Sequence, residues 1–384
     1  MIDYVVRPGD TFYSIAAAFG ITPTYLLSAN PRITDPDTVY VGQIIHIPDI
    51  YMRRMIEVNG YAFPNIDGQV LTATLPYLTY LSIFSYQVLP DGSLVGIEDE
   101  QLIQAARQAM VAPMMVITNI KADEGFSNTL AHTILTNDQA QQTLLDNIIA
   151  IMTSKNYYGL NIDFEYIYPK DRLAYARFLK TVTERLRPFG FITSITVAPK
   201  ISAGQLGPQY EGYEYSLIGD YVNNVIIATY EWGYTFGPPF AISPVEQVQQ
   251  AIEYAVSVIP SQKILMGMPN YGNDWTLPYQ AFSSARTISF NDAEALAKAT
   301  GSVILFDPEK KSSYFNYIDD MGLKHVAWFD NEVGIRARLE FVDEYNLGGV
   351  SFWTINNFSP ASYQTLYSMY DVRKVLSPLA EYSA

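Results

Sequence analysis

Eight apolar runs, spaced through residues 51–384 and separated by amphipathic stretches, constrain this chain more than any other feature. They are "MIEVNGYAF", "LTYLSIFSY", "MMVITNI", "GLNIDFE", "FITSITVAP", "NVIIATYEW", "KILMGMPNYG" and "GGVSFWTI". Helical patterns fill gaps between them, at 138–154, 171–187 and 244–258. Parallel strands cannot be joined by a hairpin; each needs a crossover, usually a helix, and the strands then read as nearly continuous apolar runs. Eight alternating β and α units predict a (β/α)8 TIM barrel, whose typical ~250 residues leave room for an insertion. The stretch from Trp275 to Trp328, after the seventh run and before a helix at Glu332–Tyr345, is the place for it. It carries a helical pattern at Asn291–Thr300 and strand-like pieces at Val303–Phe306 and Val326–Phe329, so a small α+β insertion is expected.

The fourth run breaks the apolar rule in an ordered way. In "YYGLNIDFEYIYP" the residues Leu160, Ile162 and Phe164 alternate with Asn161, Asp163 and Glu165. Alternate side chains of a strand share a face. In a barrel one face meets the helices and the other points inward, opening at its C-terminal end onto the active-site mouth. Leu160, Ile162 and Phe164 should pack outward, and Asn161, Asp163 and Glu165 should climb toward the mouth with Glu165 highest. Their spacing, ~6.6 Å along the strand, lets the two carboxyls meet. Neighbouring carboxyls do not both ionise cheaply, so one should keep a proton at neutral pH. A general acid beside an anion is what glycosidic cleavage needs: a proton for the leaving oxygen and negative charge near the developing cation. The competing reading, a hydrogen-bonded buried scaffold, would put two ionisable groups in a barrel at a cost and to no purpose.

"YYGLNIDFE" resembles the D-G-x-D-x-D-x-E signature of family 18 glycoside hydrolases, with Asp163 and Glu165 on its last two acidic positions. The resemblance implies a substrate-assisted, retaining reaction, in which the 2-acetamido oxygen of the sugar attacks C1. It makes Glu165 the general acid and then base, and Asp163 the residue that orients the acetamide and stabilises the intermediate. It extends over nearly all of 51–384. "ATYEWGY" puts Tyr230 where the family hydrogen-bonds the acetamide oxygen and Glu231 where many chitinases carry Asp. "GGVSFWTI" puts Trp353 under the reactive sugar. Two positions depart from the pattern: Asn161 stands for an Asp and Tyr158 for the first acid. An amide takes up no proton, so a relay below Asp163 is lost, and Asp163 should stay charged and turn toward Glu165 or substrate. "GLNIDFEYIYP", "VAPK", "TYEWGYTFGPP" and "AWFDNEVGIRARLEFVDEYNLGGVSFW" resemble the LysM-bearing spore cortex-lytic N-acetylglucosaminidases.

Residues 1–50 read as a separate βααβ module: a strand at Tyr4–Val6, a Pro8-Gly9 turn, a helix capped by Asp10 or Thr11, a short helix from Thr22 toward Asn30, and a strand at Gln43–Ile47. "YVVRPGDTFYSIAAAFGIT", "NPRI" and "VGQIIHIP" resemble the LysM module, which binds N-acetylglucosamine chains of chitin or peptidoglycan between two loops. The resemblance places that groove at Gly9, Asp10 and Thr11 with Phe12, and at Asn30 to Ile33. The relatives often carry two such modules; one is legible here.

The formal charge of -15 argues against nucleic acid as a partner. With no cysteine there is no disulfide or thiolate metal site, and His46, His132 and His325 lack ligand-type neighbours at helical spacing, so no metal is expected. No nucleotide fingerprint occurs, so no cofactor is expected either. The 30 tyrosines, 19 phenylalanines and 4 tryptophans suit sugar faces as well as a core. "MIDYVVRPGD" lacks the basic and apolar regions of a cleavable signal, and no stretch holds the ~20 apolar residues of a membrane helix. The sequence thus points to a peptidoglycan-directed, retaining β-N-acetylglucosaminidase of the spore cortex, coat or cell wall. The alternatives are a chitinase or chitooligosaccharide hydrolase, and a silent glycan-binding protein; the acid at Glu165 argues against the last.

Overall fold

A computed structural model describes residues 2–19, 21, 23–33, 35–48, 53–122 and 124–376. The chain forms two compact units that divide between residues 54 and 55.

In the first unit, strands Ile2–Val5 and Ile44–Ile47 pair antiparallel and flank helices Phe12–Ala18 and Pro23–Ser28. Thr11 starts the first helix: its Oγ1 accepts from Ser14 N–H while Ser14 Oγ accepts from Thr11 N–H, a reciprocal box worth ~1 kcal/mol. Val6, Phe12, Ile15, Ala16, Leu26, Ile45 and Ile47 form a small core of their own.

The second unit is a closed barrel of eight parallel strands: Met55–Ala62, Tyr80–Val88, Ala112–Thr118, Gly159–Asp163, Ile192–Val197, Asn224–Ile227, Ile264–Pro269 and Gly349–Trp353. Neighbours pair in sequence order, and the eighth strand returns to the first through Val350 opposite Val58. All eight apolar runs are strands. Every residue of Ala112–Thr118 and Ile264–Pro269 is buried, as expected for strands covered on both faces. The outer helices follow their sequence signals. Asp138–Lys155 begins where Asn137 Oδ1 accepts from Ala140 N–H and ends at Asn156, whose φ of 60° reverses the chain. Leu144, Leu145, Ile148 and Met152 face the strands from that helix. Leu160, Ile162 and Phe164 join the same core, so the outward face of the fourth strand is where its alternation placed it.

The insertion holds more strands than the sequence suggested. It is a five-stranded antiparallel sheet in the order Arg286–Ile288, Gly272–Leu277, Lys324–Phe329, Ser312–Ile318, Leu305–Asp307, with helix Phe290–Ala299. The strands Gly272–Leu277, Arg286–Ile288 and Ser312–Ile318 had no separate expectation. A buried Arg338 ties the sheet to the barrel helices: it bonds Asp330 at 2.6 Å, Ser312 Oγ at 3.2 Å and the Ser243 carbonyl at 2.7 Å. Among the described residues no helix is long and apolar enough to cross a membrane.

Candidate active site

A cavity of about 480 Å3 opens at the C-terminal ends of the barrel strands. Asp163, Glu165, Tyr230, Glu231 and Trp353 all line it. They reach it from three different strands, which is how a barrel assembles a site. Asp163 ends the fourth strand, opposite Thr118 of the third. Glu165 lies two residues further, past the last ladder bond.

The backbone that carries Glu165 is held from two sides. Asn119, fully buried at the end of the third strand, accepts from Glu165 N–H and donates to its carbonyl, both at 2.9 Å. Tyr213 donates its hydroxyl to the Phe164 carbonyl at 2.9 Å. The segment behind that tyrosine lies so close that a Cβ on Gly212 would sit 2.3 Å from the Ile167 carbonyl oxygen. Any side chain there would push the wall off Glu165. Lys200, of "VAPK", is buried beneath this wall and donates to the carbonyls of Tyr213 at 3.1 Å and Ala203 at 3.3 Å. Tyr166 and Glu231 adopt φ values of 54° and 68°, a region that non-glycine residues enter at a cost and that clusters at functional sites.

Three acids share the cavity without a cation. Among the described lining residues there is no lysine, arginine or histidine. Burial pushes the Asp163 carboxyl up to about 7, with the charge of Glu231 adding to it. Glu165 is raised well above its usual range by burial, then by Asp163, then by Glu231. Glu231 is raised by burial, less strongly, and its outer edge is open to solvent. Asp163 Oδ1 is buried and accepts no hydrogen bond. The sequence expected Asp163 to stay charged and to turn toward Glu165 or substrate; its Oδ1 has no partner within the protein, and with its carboxyl raised to about 7 it is poised between its two charge states at neutral pH.

Tyr230 stands three residues past the sixth strand. The seventh strand gives way to its ring at Gly267, where a Cβ would lie 2.8 Å from Tyr230 Cε1. Burial, Tyr61 and the two acids Asp163 and Glu231 keep its phenol protonated, so it can only be a neutral donor. Trp353 ends the eighth strand. Tyr61, Phe63 and Phe84 meet its ring edge-on, with centroids 5.2, 5.8 and 4.9 Å away.

Asn161, which the sequence placed on the face that climbs to the mouth, and Asn30, placed in the glycan groove, spend their side chains on hydrogen bonds within the protein. Asn161 is fully buried under the cavity, not in its lining. It accepts from Tyr61 Oη at 2.9 Å and donates to Ser194 Oγ at 2.9 Å and Thr196 Oγ1 at 3.4 Å. Asn30 is buried in the first unit, where its amide bonds the Leu26 carbonyl and both the N–H and carbonyl of His46, each at 2.8 Å. Ile33 packs partly on that unit's core. Asp10 accepts from Tyr4 Oη and Arg7 N–H, Thr11 caps a helix, and Gly9 turns the chain at φ 91°. Sequence reasoning missed Tyr61, Tyr166, Gln209, Tyr210 and Tyr213 in the cavity wall, and Asn119 behind it. Tyr61 sits at an inward position of the first run and could have been found by the parity used for Asp163. The others lie beyond strand ends.

Comparison with known proteins places this geometry. Glycosyl hydrolases family 18 matches residues 61–357, and the LysM domain matches residues 4–48. The cortical fragment-lytic enzyme of Bacillus subtilis (strain 168) is 35% identical over 426 residues, covering 97% of this chain and 98% of that protein. The crystal structure of the spore cortex-lytic enzyme SleL of Bacillus cereus superimposes with a TM-score of 0.82 at 34% identity, covering 97% of this chain and 87% of that chain. A chitinase from Chromobacterium violaceum shares the fold, with a TM-score of 0.75 at 22% identity over 81% of this chain and 98% of that one.

Proposed function

The chain belongs to glycosyl hydrolase family 18 and carries a LysM domain, and on that footing we propose that it cleaves spore-cortex peptidoglycan as a retaining β-N-acetylglucosaminidase. Relatives matched along nearly their whole length are cortical fragment-lytic enzymes, which favours that glycan. The LysM unit would hold the protein on the glycan, and so at the spore cortex or cell wall. Within that unit the backbone and exposed edges of the Gly9–Thr11 loop and of the turn after Asn30 are the surface for sugar; the Asn30 side chain is not.

One observation carries the mechanism: a buried carboxylate oxygen, Asp163 Oδ1, with no donor of its own, beside a carboxyl held protonated and a neutral tyrosine. A buried acceptor without a partner costs about 1–3 kcal/mol. A 2-acetamido N–H supplies the missing donor, and Tyr230 Oη donates to the acetamide oxygen. The group is thereby turned so that its carbonyl oxygen faces C1. That oxygen attacks C1 as the glycosidic C1–O bond breaks, and Glu165 passes its proton to the departing oxygen. The bicyclic oxazolinium ion that results is positive where Asp163 is negative, a charge match realised only along the reaction path. Glu165, now a carboxylate, takes a proton from water, and that water's oxygen adds to C1 on the face the leaving group vacated as the bond from C1 to the acetamide oxygen breaks and its electron pair restores the neutral acetamide. Two inversions give retention. Trp353 offers its ring to the sugar's apolar face.

The test is a pair of soluble oligosaccharides that differ only at the reactive sugar, one with a 2-acetamido group and one with a free 2-amino group. The acetylated member should be cleaved at least a hundredfold faster, and its first product should be the β anomer by NMR. Equal rates would remove the acetamide as nucleophile. Mass spectra of products from cortex peptidoglycan and from chitin oligomers, run side by side, separate a cortex enzyme from a chitinase.

A further inference from the structure

The three acids and the missing cation bear on which glycans the cavity accepts. Burial and the neighbouring acids are all that perturb Asp163, Glu165 and Glu231; no basic side chain lowers any of them. The basic residues closest along the chain to the lining are engaged elsewhere. Lys121, next to Ile120, pairs with Glu124 at 3.4 Å, and Lys200 is buried on the carbonyls of Ala203 and Tyr213. The side-chain donors on the wall are hydroxyl, amide and indole groups with no formal charge, among them Tyr61, Tyr166, Gln209, Tyr210, Tyr230 and Trp232. A cavity of about 480 Å3 has room for more than one sugar ring, and a charged substituent carried into it would lie within range of the acids on its wall.

Peptidoglycan alternates N-acetylglucosamine with a sugar bearing a lactyl ether. The lactyl carboxyl is neutral when it is in amide linkage and anionic when it is free. Resting on the peptidoglycan reading above, we propose that the cavity selects against ionised lactyl groups, so that strands whose lactyl carboxyls are amidated are the substrate and strands with bare carboxylates are poor ones. A unit charge ~8 Å from one ionised carboxylate, at an effective dielectric constant of ~20, suffers repulsion equal to more than a tenfold loss in binding. Solvent at the exposed edge of Glu231 weakens that acid's share, which leaves about tenfold as the expected discrimination. Reaction order follows: enzymes that strip peptides from the lactyl group and leave a free carboxylate would remove substrate from this one, not prepare it.

The experiment uses the full-length protein and three soluble tetrasaccharides. Two alternate N-acetylglucosamine with the lactyl sugar, one having free lactyl carboxylates and the other lactyl N-methylamides. The third is the N-acetylglucosamine tetramer. At pH 7.5 the amide should exceed the free acid about tenfold in kcat/KM, and Glu231→Gln should narrow that ratio by removing one of the charges. Equal rates for acid and amide, or a faster acid, overturn the proposal while leaving the glycosidase assignment intact. If only the N-acetylglucosamine tetramer is cleaved, the peptidoglycan reading fails. The same ratio is then read from the inhibition constants of the two lactyl compounds against that hydrolysis: a tenfold weaker acid upholds the selectivity, and equal inhibition ends it.

Discussion

Asp163→Asn should make the barrel more stable at alkaline pH while silencing it. Burial raises the Asp163 carboxyl from its usual 3.8 to about 7. The sign follows from proton binding. Between those two values the folded state holds a proton that the unfolded chain has lost, so stability falls as pH rises through that window. At about 1.4 kcal/mol per pH unit, the full penalty at pH 8 is roughly 4 kcal/mol, and about 1 kcal/mol of it is already present at pH 4.5. Asparagine escapes the titration. Its amide N–H would want an acceptor in a place where Asp163 Oδ1 already has no partner, a cost of about 1–3 kcal/mol that does not change with pH. The stability difference between variant and wild type should therefore move by about 3 kcal/mol in the variant's favour from pH 4.5 to pH 8. Denaturant unfolding followed by tryptophan fluorescence reads it cleanly, because Trp232, Trp275, Trp328 and Trp353 all lie in the second unit. A difference equal at both pH values, or one that shrinks, would refute the claim that burial raises the Asp163 carboxyl in the folded protein.

Glu165→Gln keeps the shape and removes the titrating proton; turnover of natural glycan should drop ~10²–10⁴-fold while pull-down by peptidoglycan persists, and a wild-type rate would sink the assignment. Asn161→Asp puts an anion under Asp163 and takes donors from Ser194 and Thr196; we expect a slower enzyme whose acid limb in kcat/KM moves to higher pH, and an unmoved limb would count against it. Lys200→Met strips two carbonyls of a charged donor and should lower barrel stability by about 2–4 kcal/mol at pH 7, measured by the same fluorescence assay. The polypeptide 51–384 should match the whole protein on short soluble oligosaccharides and fall behind on insoluble glycan, since tethering acts through effective concentration. Equal retention of both on peptidoglycan would end the targeting role of residues 1–50.

The parts of the fold that were legible obey a period. Leu160, Ile162 and Phe164 against Asn161, Asp163 and Glu165 settle one strand's two faces because the side-chain period of a strand is two. The eight runs stand out because parallel strands are apolar throughout. The wall residues Gln209, Tyr210 and Tyr213 lie in a long irregular segment between strand Ile192–Val197 and helix Tyr215–Tyr221, where no period exists to read. The insertion strand Ser312–Ile318 opens on two buried serines, the first bonded to Asp330 and Arg338 far along the chain, a context that propensity does not contain. Parity put Asn161 on the correct face but did not give its depth. The difference between touching substrate and lying beneath it depends on Tyr61 and Thr196, brought from other strands. Asn30 misled for a related reason: a loop amide looks available until its partners, one of them sixteen residues away, are known.

Tyr61, Asn161, Ser194 and Thr196 fill the barrel below Asp163 with groups that hydrogen-bond among themselves and do not change charge across the neutral range. Asp163 Oδ1 is not joined to that chain. The site is thus a vessel with one mouth, and the proton that Glu165 gives to the leaving oxygen and regains from water moves only on the side of the mouth. In mixtures of light and heavy water, transfer of a single proton slows in a straight line with deuterium content, whereas a train of protons moving through a buried relay bends the line. With Glu165 as sole carrier, hydrolysis by this barrel should trace the straight line.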